Sequence, residues 1–124
     1  MTQNIEPVPA TAEREKEKKI MVKKVDEQGF VNEAKAADVA VVDFNATWCG
    51  PCKMLAPVLE AVSEELSGKV SFYGVDVDDC PELAAEYRVQ SVPCLVLLKK
   101  GQLVSQSIGF KPQAAISAWI NGNL

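Results

Sequence analysis

From Ile20 to the C-terminus, short apolar runs alternate with stretches whose apolar residues recur every three or four positions. Ile20 to Lys24 predicts a first strand, and Glu27 to Ala37, containing Phe30, Val31 and Ala34, a first helix. Val39 to Phe44 is nearly continuous in apolar, mostly β-branched residues, as expected of a central strand buried on both faces. From about Cys49 to Leu66 the positions Leu55, Val58, Leu59, Val62 and Leu66 predict a long helix. Pro57, which removes one backbone donor, is expected to kink it, and Ser67-Gly68 to end it. Val70 to Val77 predicts another strand, and Pro81 to Tyr87 a short helix. Cys94 to Leu98 and Leu103 to Ile108 form a predicted hairpin turning at Lys99-Lys100-Gly101-Gln102. Pro112 opens a last helix with Ala115, Ile116, Trp119 and Ile120 facing inward and Gly122 closing it. Strands alternating with helices in this way build an α/β sheet covered on both faces.

Composition narrows the class without changing that picture. With 124 residues, 48% apolar and 24% charged, the chain has the make-up of one folded domain. Residues 1–19 differ: Pro7, Pro9 and the run Glu13 to Lys19 carry almost nothing apolar, so a flexible charged tail is expected ahead of a domain spanning residues 20–124. Met21 opens a segment that looks like a natural domain start, so the tail is expected to be either an extension or the product of an upstream start choice. Val39 to Val42 and Cys94 to Leu98 are too short to cross a bilayer as helices, and the N-terminus lacks the order of a signal peptide. A cytoplasmic, reducing compartment and no membrane contact are therefore expected. A net charge of −4, with no basic stripe interleaved with aromatics, gives nucleic-acid binding no support.

Four cysteines and no histidine argue against structural zinc, because only Cys49 and Cys52 share a two-residue spacer. In a reducing compartment the pair is better read as redox chemistry than as a structural bridge. Thr47-Trp48-Cys49-Gly50-Pro51-Cys52-Lys53 follows a buried strand and opens a helix, so Cys49 lies where free backbone donors and the helix dipole favour negative charge. Thiolate is the nucleophile in disulfide exchange, and Cys49, expected to be the more exposed of the two, is the expected attacking residue. Cys52, nearly one turn on, is the expected resolving thiol. Pro51 stiffens the first turn, and Gly50 lets the backbone pass close to a substrate. Trp48 is either a core aromatic or an exposed rim beside the nucleophile. Asp43 interrupts an apolar strand six residues before Cys49; burial there should raise its pKa toward neutrality, unless the carboxylate reaches solvent at the strand end.

The chain resembles the thioredoxin family through Val42-Asp43-Phe44, then Trp-Cys-Gly-Pro-Cys-Lys at Trp48 to Lys53, then Ser91-Val92-Pro93, Lys100-Gly101 and Gly109, in order across residues 20–124. The resemblance implies a thioredoxin fold, with a central mixed five-stranded sheet flanked by four α-helices, and reduction of protein disulfides. It implies that Asp43 lies under the dithiol and exchanges a proton with Cys52, that Gly50, Pro51 and Lys53 support the site, and that Pro93 is cis. It also implies a substrate rim of Trp48, Val92, Gly109 and Phe110. Where the family commonly carries a lysine beside the aspartate, the sequence has Gly74; Asn45 and Cys94 also depart from the family pattern. Cys94 reads first as a small apolar strand residue and second as an alternative redox thiol; Cys80 looks more exposed and reads first as a passive helix-start residue and second as a thiol open to crosslinking dimers. The implied partners are disulfide-containing proteins and a thioredoxin reductase, the chain acting as a monomer with no metal or organic cofactor. An oxidase or isomerase of the same fold, or a binding module in which the thiols are incidental, are the alternatives.

Overall fold

A computed structural model describes residues 21–124; the expected tail of residues 1–19 and the first residue of the expected first strand lie outside the described residues. The strands are β1 (Val22–Lys24), β2 (Val39–Asn45), β3 (Ser71–Asp76), β4 (Cys94–Lys99) and β5 (Gln102–Ile108). They form one five-stranded sheet in the order β1-β3-β2-β4-β5. β1, β3 and β2 run parallel, whereas β4 and β5 are antiparallel to their neighbours. The expected mixed sheet is thus present, and β2 occupies its centre.

The interior of β2 is buried from Ala40 to Phe44 because its alternate side chains enter two separate cores. Val41 joins Leu55, Leu59, Val62, Phe72, Leu95 and Ile120 on one face. Val42 and Phe44 join Phe30, Leu83, Tyr87 and Val96 on the other. The first core is supplied by helices α2 (Gly50–Glu65) and α4 (Gln113–Asn121), the second by α1, beginning at Glu27, and α3 (Pro81–Glu86). Glu65 ties α2 to α4 by accepting a hydrogen bond from Ser117 Oγ at 2.9 Å.

Two helices depart in detail from the sequence expectation. α1 is an α-helical turn at Glu27–Gly29, capped by Asp26, that widens into a π-helical turn at Phe30–Ala34 and stops short of Ala37. Phe30 and Ala34, four residues apart on one side of this turn, enter the core, and Val31, next to Phe30 around the axis, is left 54% exposed. In α4, Ile116 and Ile120 are buried, but Ala115 and Trp119 are only half-buried at the helix margin. Pro57 sits inside α2, which continues through it to Glu65.

The hairpin joining β4 to β5 is tighter than its sequence suggests. Strand pairing extends to Lys99 opposite Gln102, leaving only Lys100 and Gly101 in the turn. Both have positive φ, 50° and 81°, the left-handed pair that matches the twist of a two-residue hairpin. A Cβ on Gly101 would also come within 3.0 Å of the Lys35 carbonyl oxygen. Gly101→Ala is therefore expected to lower stability by roughly 1–2 kcal/mol. Urea unfolding should show the midpoint fall; an unchanged midpoint would mean that the turn relaxes without strain.

Candidate active site

At the end of β2 the chain leaves the sheet through Ala46-Thr47-Trp48 and enters α2. Cys49 has extended backbone angles, φ −96° and ψ 113°, and occupies the N-cap of α2. Its sulfur takes the place usually held by a serine or aspartate oxygen and accepts the Cys52 N–H at 3.1 Å. Pro51 lies in the first turn, where the donor it lacks has no helical partner in any case. Cys49 and Cys52 are joined as a disulfide, with Cα atoms 5.3 Å apart. The two cysteines that the spacing singled out are thus brought together at the one helix terminus that follows the central strand.

Both are equally enclosed, each 5% exposed, which corrects the expectation that Cys49 is the more open. Val92, Val77 and Ala46 pack around the pair and account for this. What distinguishes Cys49 is position: it caps the helix, whereas Cys52 lies within it. Cys49 Sγ is 3.6 Å from the Val92 carbonyl oxygen.

The surrounding rim comes from three separate segments. The Val92–Pro93 peptide is cis. Gly109, at φ 89°, donates its N–H to the Pro93 carbonyl at 2.8 Å, so the end of β5 is fastened to the proline loop. Gly109 therefore meets a backbone requirement, in addition to the close approach expected of it. A Cβ on Gly50 would face open space. Trp48 is 68% exposed and Phe110 40%, so neither belongs to the core. Lys53 also points outward. Sequence reasoning missed Asp78, whose Oδ2 accepts the Trp48 indole N–H at 2.8 Å and fixes an otherwise free ring. The two residues are thirty apart in sequence, and nothing local to either announces the bond.

Asp43 projects from β2 toward the face covered by α2 and is 5% exposed. Its Oδ1 is buried without a hydrogen-bond partner among the described residues. Burial pushes the carboxyl up to about 7, opposed in part by hydrogen bonding from Asn45. The solvent-reaching alternative for this carboxylate is excluded. Asp43 pairs across the sheet with Gly74, and a cavity of about 240 Å³ opens where a larger side chain would otherwise sit.

The remaining cysteines stand apart. Cys80, expected to be exposed, is 2% exposed, because its side chain turns into the core with Phe30, Leu83 and Tyr87. This correction leaves a crosslinking role without an accessible sulfur. Cys94 faces the same core, opposite Phe44 on β2, and not the small cluster that holds the cysteine pair. Burial raises both thiols, with nearby acidic groups adding to the effect.

No helix among the described residues is long and apolar enough to cross a membrane. Nor do the described residues contain a group of three or more His, Cys, Asp or Glu side chains placed to hold a metal. The thioredoxin family model matches residues 21–122. The chain is 44% identical over 101 residues to the thioredoxin of Bacillus subtilis (strain 168), covering 82% of this chain and 96% of that protein. It is 42% identical to the thioredoxin of Staphylococcus aureus (strain Mu50 / ATCC 700699), with the same coverage of each chain.

Proposed function

This chain belongs to the thioredoxin family, and from that premise we propose how its residues divide the work of disulfide exchange. The protein is a thiol-disulfide oxidoreductase of the protein-disulfide reductase type, acting on disulfide-containing substrates through a redox-active Cys49–Cys52 pair. The observation that carries the assignment of roles is the placement of Cys49 Sγ at the N-cap of α2, accepting the Cys52 N–H beside the Val92 carbonyl.

In the dithiol form, Cys49 thiolate attacks one sulfur of the substrate disulfide. A Cys49–substrate bond forms, the substrate S–S bond breaks, and the first substrate sulfur leaves as a thiolate that takes a proton from solvent. The helix N-terminus favours the negative charge that Cys49 brings to this step. Ionised Asp43 then takes the Cys52 proton, directly or through water in the adjoining cavity. Cys52 attacks Cys49 Sγ, the mixed disulfide breaks, and the second substrate sulfur departs with the electron pair. Two electrons have passed to the substrate, leaving the Cys49–Cys52 disulfide. Pro51 and Lys53 hold and flank the first turn of α2, and Gly50 leaves its outer face clear. Trp48, Val92, Gly109 and Phe110 form the surface on which an extended substrate segment rests, with Pro93 setting its floor.

The cycle closes when a thioredoxin reductase returns two electrons to the disulfide. The chain works as a monomer in the cytoplasm, residues 20–124 forming the catalytic domain, with no resident metal or organic cofactor. A substrate partner of variable sequence suits a rim whose polar contacts are largely backbone groups.

Cys52→Ser tests the order of attack. Incubated in reduced form with insulin, this variant is expected to accumulate a mixed disulfide through Cys49, because the step that would release it is missing. Mass spectrometry of non-reducing digests identifies the linked cysteine. An adduct on Cys80 or Cys94, or no adduct at all, would overturn the assignment.

A further inference from the structure

The strand register places Lys24 beside Gly74, and Gly74 beside Asp43, in one row across three parallel strands. Residues in such a row point to the same side of the sheet. That side is the one holding Val22, Phe72 and Val41, under α2 and α4. Two strand spacings separate Lys24 from Asp43, about 10 Å between Cα atoms, which the four-carbon lysine stem and the aspartate side chain together span. Between them Gly74 contributes no side chain, and an added Cβ would meet nothing closer than Asn45 Nδ2 at 3.5 Å. The resulting cavity is lined by Lys24, Asp43, Gly74, Asn45, Glu60 and Asp76, among others.

We propose that Lys24 is a positioning residue for Asp43, its ammonium crossing the bare backbone of Gly74 to meet the carboxylate when that group is ionised. The proposal deepens the site described above and rests on the proton-handling role given there to Asp43.

The groups facing Asp43 leave Lys24 as the cation of this cavity. These are Glu60 on α2 and Asp76 on β3, whereas Cys94 on β4 turns into the opposite core. Glu60 is committed to the backbone of β1, accepting the Met21 N–H at 2.7 Å and the Val22 N–H at 3.2 Å. Asp76 Oδ1 accepts the Asp78 N–H at 2.8 Å. Asp43 Oδ1, by contrast, has no partner among the described residues. Lys24 Nζ lies 3.9 Å from Asp79 Oδ2, with both side chains well exposed. A pair of that length in water holds its lysine weakly. The lysine therefore has two carboxylates within reach, and ionisation of Asp43 decides between them.

The test is the titration of the Asp43 carboxyl, followed by 13C NMR in the oxidised full-length chain. Lys24→Met should raise its midpoint by up to about one pH unit, because an opposite charge is withdrawn, and Lys24→Arg should restore it toward wild type. Asp79→Asn, which releases the lysine from its competing partner, should lower the midpoint. An unchanged midpoint in Lys24→Met, or a rise in Asp79→Asn, would overturn the proposal. The titration is independent of turnover: a wild-type reduction rate in an Asp43→Ala variant would instead sink the proton-handling role and leave the lysine contact standing.

Discussion

Replacing Cys49 by serine is expected to take insulin-disulfide reduction, followed by turbidity, down to the uncatalysed background. A serine hydroxyl does not ionise in the physiological range and forms no disulfide, so both the attack and the final Cys49–Cys52 bond are lost. The geometry of the helix start should survive. Serine is among the preferred N-cap residues, and its oxygen would accept the Cys52 N–H that the sulfur now accepts. Compared with the reduced wild type, the variant should therefore unfold at a similar urea concentration while its activity disappears. Equal reduction rates for the two proteins would refute the assignment of Cys49. Loss of activity together with loss of folding would show that the residue acts structurally.

Asp43→Ala is expected to make the protein more stable and slower, with both effects set by pH. The wild-type carboxyl is raised from 3.8 to about 7 by burial, so between those values the unfolded chain has released a proton that the folded protein still holds. Wild-type stability must fall as pH rises through this window and level off above it. A displacement of roughly three pH units corresponds to up to about 4 kcal/mol at full effect. The alanine variant escapes this penalty above pH 7 and gains nothing below pH 4, where both states of the wild type are protonated; the small void left by the substitution offsets part of the gain at every pH. Urea unfolding from pH 4 to 8.5 should show the difference between the two proteins widening with pH. A difference that stays constant would contradict the titration. Reduction by the same variant should slow by about tenfold near pH 7, less than the roughly hundredfold or more that general acid-base groups typically contribute, because solvent can also accept the Cys52 proton.

How much of this was legible in the sequence depends on how local each feature is. The central strand and the helix after it follow from runs of apolar residues that need no partner to be recognised, and β2 and α2 fall within a residue or two of their expected bounds. The Cys49–Cys52 pair is equally local, since a two-residue spacer at a helix start fixes the two sulfurs near each other. Asp43 was legible as a conflict, a carboxylate in a strand that had to be buried. Cys80 misled because its acidic neighbours suggested a surface turn, whereas the start of α3 turns the sulfur toward Phe30 and Tyr87. The Trp48–Asp78 bond and the Lys24–Gly74–Asp43 row belong to another class. They depend on which residues of separate strands and loops come to lie side by side, and that alignment is fixed only when the whole sheet is assembled.

The two-residue turn at Lys100-Gly101 gives the molecule a handle. β4 runs from Cys94, next to the proline loop, to Lys99 at the opposite end of the sheet, a span of about 17 Å over six strand residues. A dye or short tag attached through the Lys100 side chain would ride on a rigid hairpin at that remove from the sulfurs. It could report tumbling, surface attachment or complex formation while the thiol chemistry proceeds undisturbed at the other end.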